Sequence, residues 1–114
     1  MSRKPVPEEK NESEVTSACT SWAELQGWRM YRNHQGMGNK KGRPDWEAVK
    51  PFKGLGITIY VEFKGPKGKL SDDQEEYTDG LMRQKCIIIV AKSLDEFKAD
   101  LAGAEQRIKE RMVS

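Results

Sequence analysis

The sequence predicts an α/β domain with a small mixed sheet flanked by helices, on three observations. Apolar residues recur at three- and four-residue spacing near both ends of the chain, as on amphipathic helices. Between them, two short apolar stretches are joined by a glycine turn. A capped helix then leads into an unbroken apolar run, the strand–helix–strand order of a parallel connection. With 114 residues there is material for one core and none for a second.

Residues 1–11, with Pro5, Pro7 and few apolar side chains, read as a flexible polar arm ahead of a single domain over residues 12–114. Val15, Ala18, Cys19, Trp22 and Leu25 then trace one face of a helix ending near Gly27. Residues 28–32 alternate as a short strand. Gly36, Gly38 and Gly42, with Asn39 and two lysines, form an exposed flexible loop. Residues 45–49 make a second strand, ended by Pro51. Lys53-Gly54-Leu55-Gly56 turns the chain into a third strand over residues 57–63, so these two are antiparallel neighbours. Gly65, Pro66 and Gly68 stop the third strand. Ser71-Asp72-Asp73-Gln74 has capping-box form and opens a helix to about Gln84. Residues 86–91 read as a strand buried on both faces. Ser93-Leu94-Asp95-Glu96 is a second capping box, and its helix carries Leu94, Phe97, Leu101 and Ile108 on one side.

Composition sets outer limits. Charged residues make up 33% of the chain, and no apolar run approaches the roughly 20 residues that span a bilayer. With no signal-peptide pattern, the expected location is the cytoplasm. Cys19 and Cys86 lie far apart within apolar patterns and read as free buried thiols, with no cysteine–histidine cluster for zinc. The net charge of +2 conceals a strong asymmetry. Residues 29–69 hold ten basic and three acidic side chains, whereas the segments before and after are both net acidic. A polyanionic partner is the natural inference.

That basic segment contains the residues with chemical promise. Asp45 follows Pro44 at the start of its strand. Glu62 and Lys64 are two apart on the next strand and so project from the same face, while Val61 and Phe63 turn to the core. The hairpin sets Asp45 across from Glu62 at one end of the sheet. Adjoining carboxylates repel unless a cation neutralises them, and hard divalent cations take oxygen ligands. A metal and an ammonium beside a water are the equipment of phosphodiester hydrolysis. His34, alone in a polar loop, reads as a surface or phosphate-contacting residue rather than a base.

Gly42-Arg43-Pro44-Asp45, the run from Val61-Glu62-Phe63-Lys64 through Gly65-Pro66-Lys67-Gly68-Lys69-Leu70-Ser71, and Gln74 together resemble the VRR-NUC family of the PD-(D/E)xK nuclease superfamily. The resemblance is to small phage and bacterial members and extends from about Glu12 to Phe97. In its core the chain is also similar to archaeal Holliday-junction resolvases. The resemblance implies a restriction-endonuclease-like core of αβββαβ order, the order read above from the residues themselves. It further implies Mg²⁺ or Mn²⁺ held by Asp45, Glu62, the carbonyl of Phe63 and a first-helix acid. Helical geometry does not choose between Glu12 and Glu14 for that acid; the spacing Glu12-x-x-Val15 fits the family and favours Glu12. Lys64 would orient or deprotonate the attacking water, and Gln74 would reach back to Lys64 or to a metal-bound water, unless it only closes its capping box.

Arg32, Lys40, Lys41, Arg43, Lys67 and Lys69 are the expected DNA backbone contacts. Without clustered aromatics for single-strand stacking, they favour duplex or branched DNA. The resulting expectation is a metal-dependent DNA endonuclease, structure-selective and resolvase-like, associated with DNA repair or phage functions. Two symmetric nicks in a junction require two sites, so this reading carries a homodimer. The alternatives are a flap or nicking nuclease acting as a monomer, and a DNA-binding module that does not cut. The intact Asp45, Glu62 and Lys64 argue against the last.

Overall fold

A computed structural model describes residues 9–33 and 41–113 of the chain. The first eight residues of the expected arm, and His34, Gly36, Gly38, Asn39 and Lys40 of the expected loop, lie outside the described residues. The elements run α1 (Glu12–Leu25), β1 (Arg29–Arg32), β2 (Trp46–Phe52), β3 (Leu55–Phe63), α2 (Asp72–Arg83), β4 (Ile88–Ala91) and α3 (Leu94–Val113). The strands form one mixed sheet in the order β1-β2-β3-β4, antiparallel except for β3 with β4. The αβββαβ order and the mixed sheet flanked by helices are as expected.

α1 begins at Asn11, whose side chain accepts from the Glu14 N–H at 2.9 Å. It ends in a Schellman turn: Gly27 sits at φ 94°, its N–H bonds the Glu24 carbonyl at 3.1 Å, and the Trp28 N–H bonds Ala23 at 3.0 Å. Just upstream, Glu9 accepts from the Leu94 N–H at 3.0 Å, so the end of the arm is tied to α3 rather than loose.

The β2–β3 hairpin turns on Lys53 (φ 51°) and Gly54 (φ 81°), two successive left-handed residues that match the twist of the flanking strands. Closing the turn at Phe52↔Leu55 lengthens both strands beyond expectation. β2 continues through Pro51 because the last pair between β2 and β1 is Arg29↔Val49. Beyond it, a missing N–H deprives no neighbouring strand of a partner. β4 is shorter than expected and lies at the sheet edge. Ile89 and Ala91 are buried while Ile88 and Val90 are only half-buried, so the expectation of burial on both faces is corrected. Cys86 falls before β4 because its N–H closes the end of α2 on Leu81 at 3.0 Å, with Lys85 at φ 65° in the turn.

One face of the sheet is dry. Ala48, Ile57, Ile59, Val61, Phe63, Ile89 and Ala91 meet Val15, Cys19 and Ala23 of α1 and Phe97, Leu101 and Ala104 of α3. Edge-to-face rings run from Trp22 through Phe97 and Phe63 to Trp46, with centroids 5.4–6.3 Å apart. Burial, with a smaller push from the Glu9 charge, raises the Cys19 thiol to about 12, which makes it a packing group rather than a nucleophile. Among the described residues, the opposite face carries one helix, α2, which buries Thr78. Among the described residues, no helix is long and apolar enough to cross a membrane.

Candidate active site

The hairpin register builds the site. Trp46 pairs with Val61, so one step further Asp45 stands across from Glu62, where the sheet meets α2. Glu62 is 2% exposed although it is an acid. Its carboxylate receives the Gln74 side-chain amide at 2.7 Å and a backbone N–H from Asp45. Burial first, and the Asp45 charge second, push the Glu62 carboxyl up to about 7. The Lys64 ammonium and the Asp45 N–H oppose that rise, and Glu12 adds to it. At neutral pH this acid is poised between its two forms.

Gln74 closes its expected capping box, and its reach to the site goes to a different partner. Its Oε1 accepts from the Ser71 N–H at 2.9 Å while its own N–H bonds the Ser71 hydroxyl at 3.2 Å, a complete capping box. The remaining amide nitrogen reaches Glu62 and not Lys64, because that is the acid on the strand directly beneath the first turn of α2. The second capping box is half-made. Ser93 accepts from the Glu96 N–H at 3.1 Å, and the next backbone donor, the Leu94 N–H, is bound by Glu9 at 3.0 Å.

α1 brings Glu12 to the same corner. Glu12 and Asp45 line one polar cleft, whereas the Glu14 carboxylate turns back to accept from the Lys10 N–H at 2.8 Å. The backbone of Gly65, just after Lys64, runs so close to α1 that a Cβ there would stand 3.1 Å from the Glu12 nitrogen. Of the expected DNA contacts, Arg32 lines the cleft, and Lys41, Lys67 and Lys69 are exposed on flanking loops. Arg43 is partly engaged, 3.4 Å from Glu47.

Two positioning residues lie outside the expected set of site residues. Asn33 holds the Pro-Asp turn from β1: its N–H bonds the Asp45 carbonyl at 2.6 Å and its side chain the Pro44 carbonyl at 3.0 Å. Nothing in the sequence separates it from the polar loop that follows. Gly42, at φ 86°, lies against the first turn of α2, where a Cβ would collide with the Asp73 carbonyl and stand 2.8 Å from the Gln74 nitrogen. Its place in Gly-x-Pro-Asp marks it, but the reason, a backbone-to-backbone approach, needs the fold.

Among the described residues no three His, Cys, Asp or Glu side chains converge to enclose a metal. What does converge is a carboxylate pair, Asp45 and Glu62, with the Lys64 ammonium and the Gln74 amide beside Glu62.

The model of the VRR-NUC domain matches residues 3–95. The chain belongs to the VRR-NUC family. A solved structure described as a VRR_NUC domain is similar with a TM-score of 0.68 at 18% identity, covering 80% of this chain and 94% of its own. A second, described as a VRR_NUC domain protein, gives a TM-score of 0.65 at 18% identity, covering 82% and 87% respectively. At that identity the likeness concerns the fold. No curated protein matches. The VRR-NUC match makes this a nuclease domain with DNA as its partner, within the PD-(D/E)xK superfamily. It stops where α3 begins, although Phe97, Leu101 and Ala104 of that helix close the core.

Proposed function

We propose that the chain is an endodeoxyribonuclease that depends on Mg²⁺ or Mn²⁺ and acts on branched DNA as a homodimer. The observation that carries the hydrolytic reading is the meeting of Asp45, Glu62 and Lys64 at one end of the hairpin, with Gln74 bonded to the buried Glu62 carboxylate. Two adjoining acids, one raised to about 7 by burial and by its neighbour's charge, suit a hard cation. Mg²⁺ is commonly held by one or two carboxylates and keeps several waters, so a pair is enough. Asp45 and Glu62 would hold the ion, with the Phe63 carbonyl and Glu12 as further donors by the family pattern. Bound there, it supplies an acidified water and polarises the phosphate.

The chain's own residues do the rest. Lys64, on the face of Glu62, orients the attacking water and offsets charge growing on the phosphate oxygens. Gln74 and the Asp45 N–H fix the Glu62 carboxylate in one orientation. Arg32, Lys41, Arg43, Lys67 and Lys69 hold the DNA backbone. Cutting a four-way junction at two symmetric points needs two such sites, which one domain does not supply, hence the dimer.

Incubation with labelled four-way junction, flap and linear duplex, with Mg²⁺, Mn²⁺ or chelator, tests the reading. Metal-dependent cleavage, strongest on the junction, is expected. No cleavage of any substrate with either metal sinks the enzyme, and a monomer by light scattering sinks the junction reading.

A further inference from the structure

Beside Asp45 and Glu12, a polar cleft of about 350 Å³ opens between α1 and the ends of β1 and β2. Ser13, Thr16, Ser17 and Thr20 form one wall; Arg32 and Trp46 form the other. The spacing 13-16-17-20 aligns four hydroxyls on one face of the helix. Helix propensity does not select such a stripe, since Ser and Thr are indifferent helix formers. Nor does the core, which takes a separate stripe of α1 at Val15, Cys19 and Ala23.

The hydroxyls divide into two kinds. Thr16 and Thr20 donate back to the carbonyls of Glu12 and Thr16, both at 2.8 Å, and keep only acceptor capacity toward the cleft. Ser13 and Ser17 are exposed, and their hydroxyls have no protein partner among the described residues. The Arg32 guanidinium lies 5.8 Å from the centre of the Trp46 ring and makes no ion pair among the described residues. Exposed hydroxyls and an arginine are the groups that grip phosphate and sugar. The volume sits at the low end of the range of about 300–1,000 Å³ for small-molecule pockets, room for one nucleotide unit rather than a base pair.

Resting on the nuclease reading, we propose that this cleft seats the nucleotide next to the scissile phosphate of the cut strand. Ser13, Ser17 and Arg32 hold its sugar–phosphate backbone. The serines grip without charge, so their share of binding is insensitive to salt, whereas that of Arg32 falls as salt rises.

Binding alone tests the cleft, apart from any cutting. In a Lys64→Ala background, anisotropy of labelled junction and linear duplex is compared with and without Ser17→Phe, which fills the cleft from an exposed helix position. Binding about tenfold weaker is expected, with melting temperature unchanged and with Leu25→Phe, exposed two turns further along the same helix and away from the cleft, behaving as the parent. Arg32→Gln should lower the slope of log affinity against log salt by about one. Affinity of Ser17→Phe within about twofold of the parent overturns the subsite. Failure of the wild-type chain to cut any DNA is a separate result that overturns the nuclease reading instead.

Discussion

On one face of the sheet, Ile57, Ile59, Val61 and Phe63 of β3 vanish beneath α1 and α3; on the other, the same strand turns Thr58, Tyr60 and Glu62 outward, with Lys64 just past its end. Alternation along one strand thus divides labour. The covered face is apolar and closely packed, and it supplies the stability. The α2 face tolerates a buried acid raised to about 7, which a dry core would not hold without loss. The two jobs meet only at residues such as Phe63, which is core by its ring and a neighbour of the site by its backbone.

Substitutions on each face should therefore fail in different ways. Phe97→Ala, beneath the covered face, removes the centre of the ring chain and should cost about 3–5 kcal/mol in urea unfolding. Lys64→Ala, on the other face, should lower single-turnover cleavage by about 10²–10³-fold while leaving unfolding free energy within roughly 0.5 kcal/mol. A Lys64→Ala protein that unfolds readily would blur the division.

The next effect is a pH dependence of the metal-free protein. Because the folded Glu62 sits at about 7, above its ordinary 4.5, the folded state takes up its proton first as pH falls. Stability should rise from pH 8 to pH 5 by on the order of 2–3 kcal/mol and level off near the ordinary carboxylate value. Glu62→Gln should flatten that curve, and a flat wild-type curve would mean the acid is unperturbed. Gly42→Ala should cost about 1–3 kcal/mol in stability. It should nonetheless slow cleavage more than its stability loss accounts for, because it pushes the Pro-Asp turn away from α2.

Much of this was legible in the residues. The glycine turn between the second and third strands was legible, and with it the meeting of Asp45 and Glu62; the structure adds that only Lys53 and Gly54 form the turn, which sets the register from Phe52↔Leu55. Helix starts at Ser71 and the helix end at Gly27 were legible because caps are local chemistry. Pro51 misled because a proline is judged by its own missing N–H, whereas the outcome depends on whether a neighbouring strand extends that far. The start of β4 misled because Lys85 adopts the left-handed turn that glycine usually marks. The roles of Asn33 and Gly42 and the reach of Gln74 to Glu62 depend on how separate elements dock, which no local pattern records.

The double engagement of Gln74 narrows what that position tolerates. A capping box accepts glutamate as readily as glutamine at its third residue. Here the far side of the same amide donates a hydrogen bond to Glu62. Glutamate would keep the helix start and set a third negative charge against the pair, so two side chains that are synonyms for the helix are antonyms for the strand beneath it.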